Sequence, residues 1–94
     1  MIQSFGDPET ERIWNGQVSR VIPREIQRTA QRKLLLIDTA IRILDLRFPP
    51  GNRLELLSGD RAGQDSIRIN NQWRICFRWT DEGPEGVEIV DYHR

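Results

Sequence analysis

The sequence has only one cysteine and one histidine among its 94 residues. A single thiol forms no internal disulfide, and one thiol with one imidazole is too few for a His/Cys metal centre. We therefore predict no metal site and no cofactor. Any chemistry must use arginines, carboxylates, hydroxyls, Tyr92 and His93. Cys76 falls in a predicted strand, where a thiol is usually just a small apolar side chain.

Long hydrophobic runs are absent as well. No segment approaches the roughly 20 apolar residues that a helix needs to cross a bilayer. The opening segment, Met1 to Phe5, lacks the basic start and apolar run of a signal peptide. We therefore expect a cytoplasmic protein without membrane contact. Its 94 residues should fold as one domain that spans residues 1–94.

Neither sign of charge predominates, because 14 basic residues balance 14 acidic ones. A formally neutral chain is not expected to bind polyanions in general. Lys33 is the single lysine, so nearly all the positive charge is on arginines, which suit bidentate contact with phosphates. Arg24, Arg28 and Arg32 recur every four residues, which is typical of a solvated helix face, with contact to RNA as the alternative.

The first half of the chain carries helical signals. After an opening segment at Met1–Phe5 that could form a strand, Asp7 and Pro8 predict the start of a short helix. Pro23 opens the main helix, whose apolar residues follow at three- and four-residue steps: Ile26, Ala30, Leu34, Ile37, Ile41 and Leu44. The stripe predicts either one bent helix or two helices that break near Thr39.

The second half of the chain shows the alternation of strands. Strands are predicted at 52–57, 66–69, 73–79 and 87–92, with a turn at 58–63, a tight turn at 70–71 and an acidic loop at 80–86. This order predicts an α+β fold, in which an N-terminal strand and two to three helices pack on one face of a mainly antiparallel sheet.

The register of the first β-hairpin follows if apolar residues must share one face. Ile67 then lies opposite Ile75, and the loop has three residues, 70–72. Arg68 consequently lies directly opposite Arg74 on the non-core face. Like charges in that arrangement destabilise a sheet. We therefore predict that an anion, from the protein or from a ligand, lies within reach of both arginines.

The same test on the last hairpin predicts four neighbouring pairs: Phe77 with Ile89, Trp79 with Val87, Arg78 with Glu88, and Arg74 with Tyr92. The non-core face would then gather two guanidinium groups and a tyrosine close to His93. Such a cluster could hold a phosphodiester, stack a base on Tyr92 and move protons through His93. Spacing alone leaves a solvated, arginine-rich face as the alternative.

Three segments resemble the HigB branch of the RelE/ParE toxin superfamily. They are Pro50 to Gln64 with G-D-R-A-G-Q, Ser66 to Phe77 with S-I-R-I-N-N-Q-W-R-I, and Val87 to His93 with its D-Y-H end. The likeness covers nearly the whole chain. It implies a RelE-like, microbial-RNase-like fold and a toxin that cleaves messenger RNA in the ribosomal decoding site without a metal. The implied partners are the ribosome, messenger RNA and a HigA-like helix-turn-helix antitoxin, and the toxin–antitoxin complex would bind operator DNA.

The resemblance also implies roles for individual residues. Arg74 matches the family's phosphate-stabilising arginine, and Tyr92 matches its stacking or proton-handling tyrosine. His93 matches the terminal histidine of the acid/base step, and Asp91 matches an acidic residue that orients His93 or Arg74. The predicted RNA-binding set consists of Arg53, Ser58, Arg61 and Arg68.

Two positions depart from the family pattern. Ser58 stands where members often carry lysine, and Glu55 stands where some carry histidine. Ser58 cannot stabilise a phosphorane, and Glu55 would repel a phosphate unless it acts as a base. Either Arg53 or Arg61 compensates for the loss, or the nuclease is weak. ParE-like relatives share the fold but poison DNA gyrase by binding, and this is the alternative function.

Overall fold

A computed structural model describes residues 1–92 as two helices on a four-stranded antiparallel sheet. The elements are α1 at Pro8–Trp14, α2 at Arg24–Thr39, β1 at Glu55–Leu56, β2 at Asp65–Arg68, β3 at Trp73–Thr80 and β4 at Gly83–Asp91. Short 3₁₀ turns lie at Ile43–Arg47, Pro50–Asn52 and Gly59–Arg61. The strands lie side by side in chain order. The predicted α+β fold is confirmed. None of the helices within residues 1–92 has the length and hydrophobicity needed to cross a membrane.

The start of the chain follows the predicted signals with one difference. Asp7 caps α1, because its Oδ1 accepts a hydrogen bond from the backbone N–H of Thr10 at 2.7 Å. Residues 1–5 lie along β4, but they form a single parallel bridge, Phe5 to Val87, in place of a full strand. The N–H of Gly6 donates to the carbonyl of Val87 at 2.8 Å and ends the pairing.

The main helix ends at Thr39, which was one of the two predicted alternatives. Its buried stripe joins the inner face of the sheet in one core: Ile13, Ile22, Ile26, Ala30, Leu34, Ile37, Leu46, Ile67, Ile75, Phe77, Val87 and Ile89. The last two members of the predicted stripe, Ile41 and Leu44, are 87% and 52% exposed. Because the α-helix has ended before them, the 3.6-residue period no longer directs these side chains inward.

The first hairpin has the predicted register. Ile67 lies opposite Ile75, and Arg68 lies opposite Arg74. The N–H of Ile69 donates to the carbonyl of Trp73 at 2.8 Å, which leaves residues 70–72 as the loop. The prediction that both arginines point away from the core is therefore confirmed.

The predicted register of the last hairpin is wrong by two residues. Ile89 lies opposite Ile75, Val90 lies opposite Arg74, and Glu88 lies opposite Cys76. The turn comprises only residues 81–82, so that β4 begins at Gly83, inside the segment expected to be an acidic loop. The register also shifts once between Cys76 and Arg78, which places Arg78 opposite Glu85. The predicted pairs of Arg78 with Glu88 and of Arg74 with Tyr92 are therefore not cross-strand partners.

Candidate functional site

The outer face of the sheet, away from the helices, carries an open cavity of about 690 Å³. Its lining is polar for the most part: Arg53, Leu54, Glu55, Arg68, Asn70, Asn71, Arg74 and Tyr92. We call this cavity the arginine pocket. It brings together four of the residues predicted to form the site, which are Arg53, Arg68, Arg74 and Tyr92. The pocket forms where β1, the β2–β3 loop and the end of β4 meet.

Arg74 is the most firmly held cation of the arginine pocket. Its Nε donates to the hydroxyl of buried Ser66 at 2.7 Å, and its Nη2 donates to the carbonyls of Arg53 at 2.5 Å and Ser66 at 3.3 Å. Only 12% of the Arg74 side chain is exposed. The guanidinium is therefore fixed before any ligand arrives, and binding an anion costs it little further conformational entropy.

The backbone at Arg53 contributes to this arrangement. Among residues 1–92, Arg53 is the only non-glycine residue with positive φ, at 45°. An L-residue rarely adopts this conformation, which costs roughly 1 kcal/mol or more. In this conformation the Arg53 carbonyl meets the Arg74 guanidinium, and the Arg53 side chain still lines the pocket.

A carboxylate offsets part of the repulsion between the two facing arginines. Glu55 Oε2 lies 3.7 Å from Arg74 Nη2. Arg68 lies further out, and its Nη2 donates to Oδ1 of Asn71. Three arginines and one glutamate line the pocket, so the charge of its described lining is positive. This field favours entry of an anion.

Tyr92 closes the pocket at the end of β4. Its backbone N–H donates to the carbonyl of Gln72 at 2.7 Å, so Tyr92 is tied to the β2–β3 loop. Asp91 lies opposite Trp73, and its Oδ2 accepts from the side-chain amide of Gln72 at 3.1 Å. The structure does not bring Asp91 into the pocket lining. His93 lies outside the described residues.

Comparison with known proteins identifies the family. A model of the HigB-like toxins, described as the RelE-like toxin of type II toxin–antitoxin system HigB, matches residues 3–93. This chain belongs to that family. Toxin HigB-1 of Vibrio cholerae is 48% identical over 93 residues, which cover 98% of this chain and 94% of the relative. Endoribonuclease HigB of Proteus vulgaris is 30% identical over 93 residues, which cover 99% of this chain and 100% of the relative.

A third relative extends the set. It is an uncharacterized protein of Haemophilus influenzae, 38% identical over 78 residues that cover 82% of this chain and 77% of the relative. Because this chain belongs to the HigB-like toxin family, it is a HigB-type toxin of a type II toxin–antitoxin system, and an antitoxin partner is implied.

Two predicted RNA-binding positions of this HigB-type toxin lie outside the pocket lining. Arg61 Nη1 donates to Glu88 Oε1 at 2.7 Å and to Gln64 Oε1 at 3.2 Å. The hydrogen bond with Glu88 is the main cause that raises the pKa of Arg61. Ser58 is exposed, and its carbonyl accepts from the Arg61 N–H at 3.4 Å. The pair of Arg61 with Glu88 was missed because the predicted register placed Arg78 beside Glu88.

Glycine at position 6 leaves room for this pair. A Cβ built on Gly6 would lie 3.0 Å from both the Cβ and Oε2 of Glu88. The absence of a side chain therefore allows the carboxylate of Glu88 to lie close to the backbone while its other oxygen binds Arg61. The sequence contained no signal for this contact, since a glycine before a helix cap is usually explained by the turn alone.

Ser66 is a residue of the site that the sequence analysis did not identify. Ser66 lies opposite Cys76, two residues before Arg68 and on the same face, so the correct β2–β3 register could have identified it as an acceptor for Arg74. Cys76 is fully buried, as expected of a small strand side chain. Burial raises the pKa of its thiol, so that the neutral form is favoured.

Proposed function

We propose that this toxin is an endoribonuclease that cuts messenger RNA on the translating ribosome. The observation that carries the proposal is the guanidinium of Arg74, held by Ser66 and the Arg53 carbonyl in a positively charged pocket beside Glu55 and Tyr92. The relative from Proteus vulgaris that is named an endoribonuclease supports the same activity.

The proposed reaction needs a base next to the attacking group. Glu55 takes the proton of the ribose 2′-hydroxyl, and the 2′-oxygen then forms a bond to the adjacent phosphorus. The bond from phosphorus to the 5′-oxygen breaks, which leaves a 2′,3′-cyclic phosphate and a 5′-hydroxyl end. The leaving 5′-oxygen receives its proton from His93. Glu55 fits the role of base because its carboxylate lies at the pocket wall, 3.7 Å from the cation that would hold the phosphate.

Charge stabilisation in this proposal comes from the arginines. Arg74 and Arg68 face the same cavity, so both can approach the phosphate oxygens as negative charge develops on them. Tyr92 offers a ring on which one base can stack. Of the two arginines that could replace the family's lysine at position 58, Arg53 is favoured, because it lines the pocket whereas Arg61 is engaged by Glu88.

The form of the pocket is consistent with dependence on the ribosome. The cavity lies open on a sheet face and has room for a phosphate and a base, but it does not enclose an RNA strand. A messenger held by the ribosome would arrive with its reacting nucleotide already oriented, which supplies the positioning that an open pocket lacks.

The test is to map messenger RNA 5′ ends in a translating extract to which the toxin has been added. We expect cuts in phase with codons, and we expect them to fall at least about 100-fold for Arg74→Ala. The matched control is Arg78→Ala, since Arg78 lies on the same strand and face but outside the pocket lining. Messenger RNA that stays intact in the extract, together with growth arrest when the toxin is expressed in cells, would contradict the proposal and favour a binding toxin such as a gyrase poison.

A further inference from the structure

The segment that joins the two helices, residues 15–23, presents apolar side chains outside the core. Val18 is 54% exposed and Val21 is 72% exposed, although the intervening Ser19 is buried. Residues 18–24 line a depression of about 680 Å³. This depression is on the helix layer, and it shares no lining residue with the arginine pocket on the outer face of the sheet.

Hydrogen bonds hold this segment in one conformation. The side chain of Gln27 accepts from the Ser19 N–H at 3.1 Å and donates to the carbonyls of Ser19 at 2.9 Å and Ile22 at 2.6 Å. The Ser19 hydroxyl accepts from the N–H groups of Val21 and Ile22, both at 3.1 Å, and donates to Glu9 at 2.8 Å. The two valines are therefore displayed on a fixed backbone, and a partner that covers them orders little additional chain.

Positive charge surrounds the valines. Three adjoining depressions share Val18, and their charged lining residues are Arg12, Arg20, Arg24, Arg28 and Glu9. Glu9 is already engaged by Arg12 at 3.3 Å and by the Ser19 hydroxyl. Within residues 1–92, by contrast, the side chains of Arg20, Arg24 and Arg28 form no hydrogen bond or ion pair. We call Val18, Arg20, Val21, Arg24 and Arg28 the helix-junction surface.

We infer that the helix-junction surface docks the antitoxin through an acidic segment that also carries apolar side chains. Unpaired arginines around the valines select a partner of negative charge. A protein suits the surface better than RNA, because aliphatic side chains at its centre stack no bases, whereas an apolar centre with an arginine rim is the usual anatomy of protein interfaces. The arginines along the first turns of α2 extend the contact beyond the two valines, towards the area that a stable interface requires.

The experiment measures binding of the purified antitoxin of the same operon to the full chain by biolayer interferometry. We expect Val21→Asp and the double variant Arg24→Glu/Arg28→Glu each to weaken binding at least about tenfold. The milder Val21→Ser should weaken it less and serves if aspartate perturbs the loop. The matched control is Ile41→Asp, because Ile41 is 87% exposed but outside the helix-junction surface, and it should bind within about twofold of the wild type. Thermal unfolding verifies that each variant is folded.

Two results would overturn the inference. One is antitoxin binding that stays within twofold of the wild type in folded Val21→Asp and in the double variant. The other is loss of growth arrest in those variants without antitoxin while antitoxin binding is unchanged, which would assign the surface to the ribosome. Antitoxin binding does not depend on RNA cleavage, so the inference and the proposed nuclease activity can fail separately.

Discussion

The outer face of the sheet has two halves, and the arginines of the two halves have different surroundings. In the pocket half, Arg68 and Arg74 face each other across the β2–β3 pair and line an open cavity. In the other half, the loop over residues 58–64 brings Arg61 to Glu88, and Arg78 donates to the carbonyl of Gly63 at 3.4 Å. Cys76 is fully buried, opposite Ser66 on β2 and Glu88 on β4.

This difference shows how one face can contain both an open, arginine-lined cavity and a closed surface. In the pocket half, the Ser66 hydroxyl and the Arg53 carbonyl accept hydrogen bonds from Arg74 and orient the cation, while the Glu55 carboxylate lies 3.7 Å from it. The other half brings a full carboxylate into contact with Arg61 at 2.7 Å, which cancels most of that charge. Because the carboxylate contact of Arg61 is shorter than that of Arg74, the ion pair at Arg61 compensates its charge more fully and contributes to the fold.

The largest expected effect concerns the single carboxylate among the described lining residues. If Glu55 is the base, Glu55→Gln should lower the rate of RNA cleavage by about 10³-fold, since the amide cannot take a proton. The free energy of unfolding should change little, because the partly exposed ion pair of Glu55 with Arg74 is long, at 3.7 Å, and such pairs contribute at most about 1 kcal/mol. Cleavage rates with saturating ribosomes and denaturant unfolding measure the two quantities. If the variant keeps more than a tenth of the activity, Glu55 only positions Arg74 and another group is the base.

Arg74→Lys should have the next largest effect, a loss of about 10²-fold in cleavage rate. The variant keeps the positive charge, but an ammonium has no planar fork that reaches Ser66, the Arg53 carbonyl and a phosphate in one plane. Single-turnover cleavage measures the loss, and Arg78→Lys in the other half provides the control, with activity within about twofold. Near-normal cleavage by Arg74→Lys would show that charge alone suffices and that the neutral acceptors have no catalytic value.

The same two halves explain what the sequence could predict. The register of β2 and β3 followed from the short loop and from the apolar residues Ile67 and Ile75, and it correctly placed Arg68 opposite Arg74. The last hairpin could not be predicted in this way, because apolar residues alternate on β4 in either register. Its register depends on a two-residue turn before Gly83, which has φ of 131°, and on the register shift after Cys76.

The backbone contacts of the site could not be predicted from the sequence either. The carbonyl of Arg53 reaches Arg74 from a backbone with positive φ, and no residue pattern indicates such a conformation at an arginine. Glu55 was noted as a departure from the family pattern, but its distance from Arg74 depends on the path of the short strand β1. The positions of Arg74 and Glu55, the two groups that most affect the proposed chemistry, thus depend on backbone conformations that the sequence alone does not indicate.

A smaller effect is expected from Glu88→Gln in the half of the outer face that contains Arg61 and Arg78. The change removes the ion pair with Arg61. Because both side chains are partly exposed, this ion pair should contribute no more than about 1 kcal/mol to the free energy of unfolding. It also releases one positive charge beside the pocket, so the affinity for a short single-stranded RNA should rise, by at most about fivefold. Fluorescence anisotropy measures this change. The double variant Glu88→Gln/Arg61→Ala is the control, and a gain that persists in it would show that the charge of Arg61 is not its source.

The smallest effect is a pH dependence that comes from Cys76. Burial raises the pKa of this thiol in the folded chain, so the unfolded chain loses the proton first as the pH rises. Unfolding then releases a proton, and the free energy of unfolding falls as the pH rises above the ordinary thiol range of about 8.5. Below that range the thiol is neutral in both states and contributes no slope. The measurement is the difference in unfolding free energy between the wild type and Cys76→Ala from pH 7 to pH 10, because subtraction removes the titration of other groups. A difference that is constant over this range would mean that solvent reaches the thiol and that the second half of the outer face is more open than the buried position of Cys76 indicates.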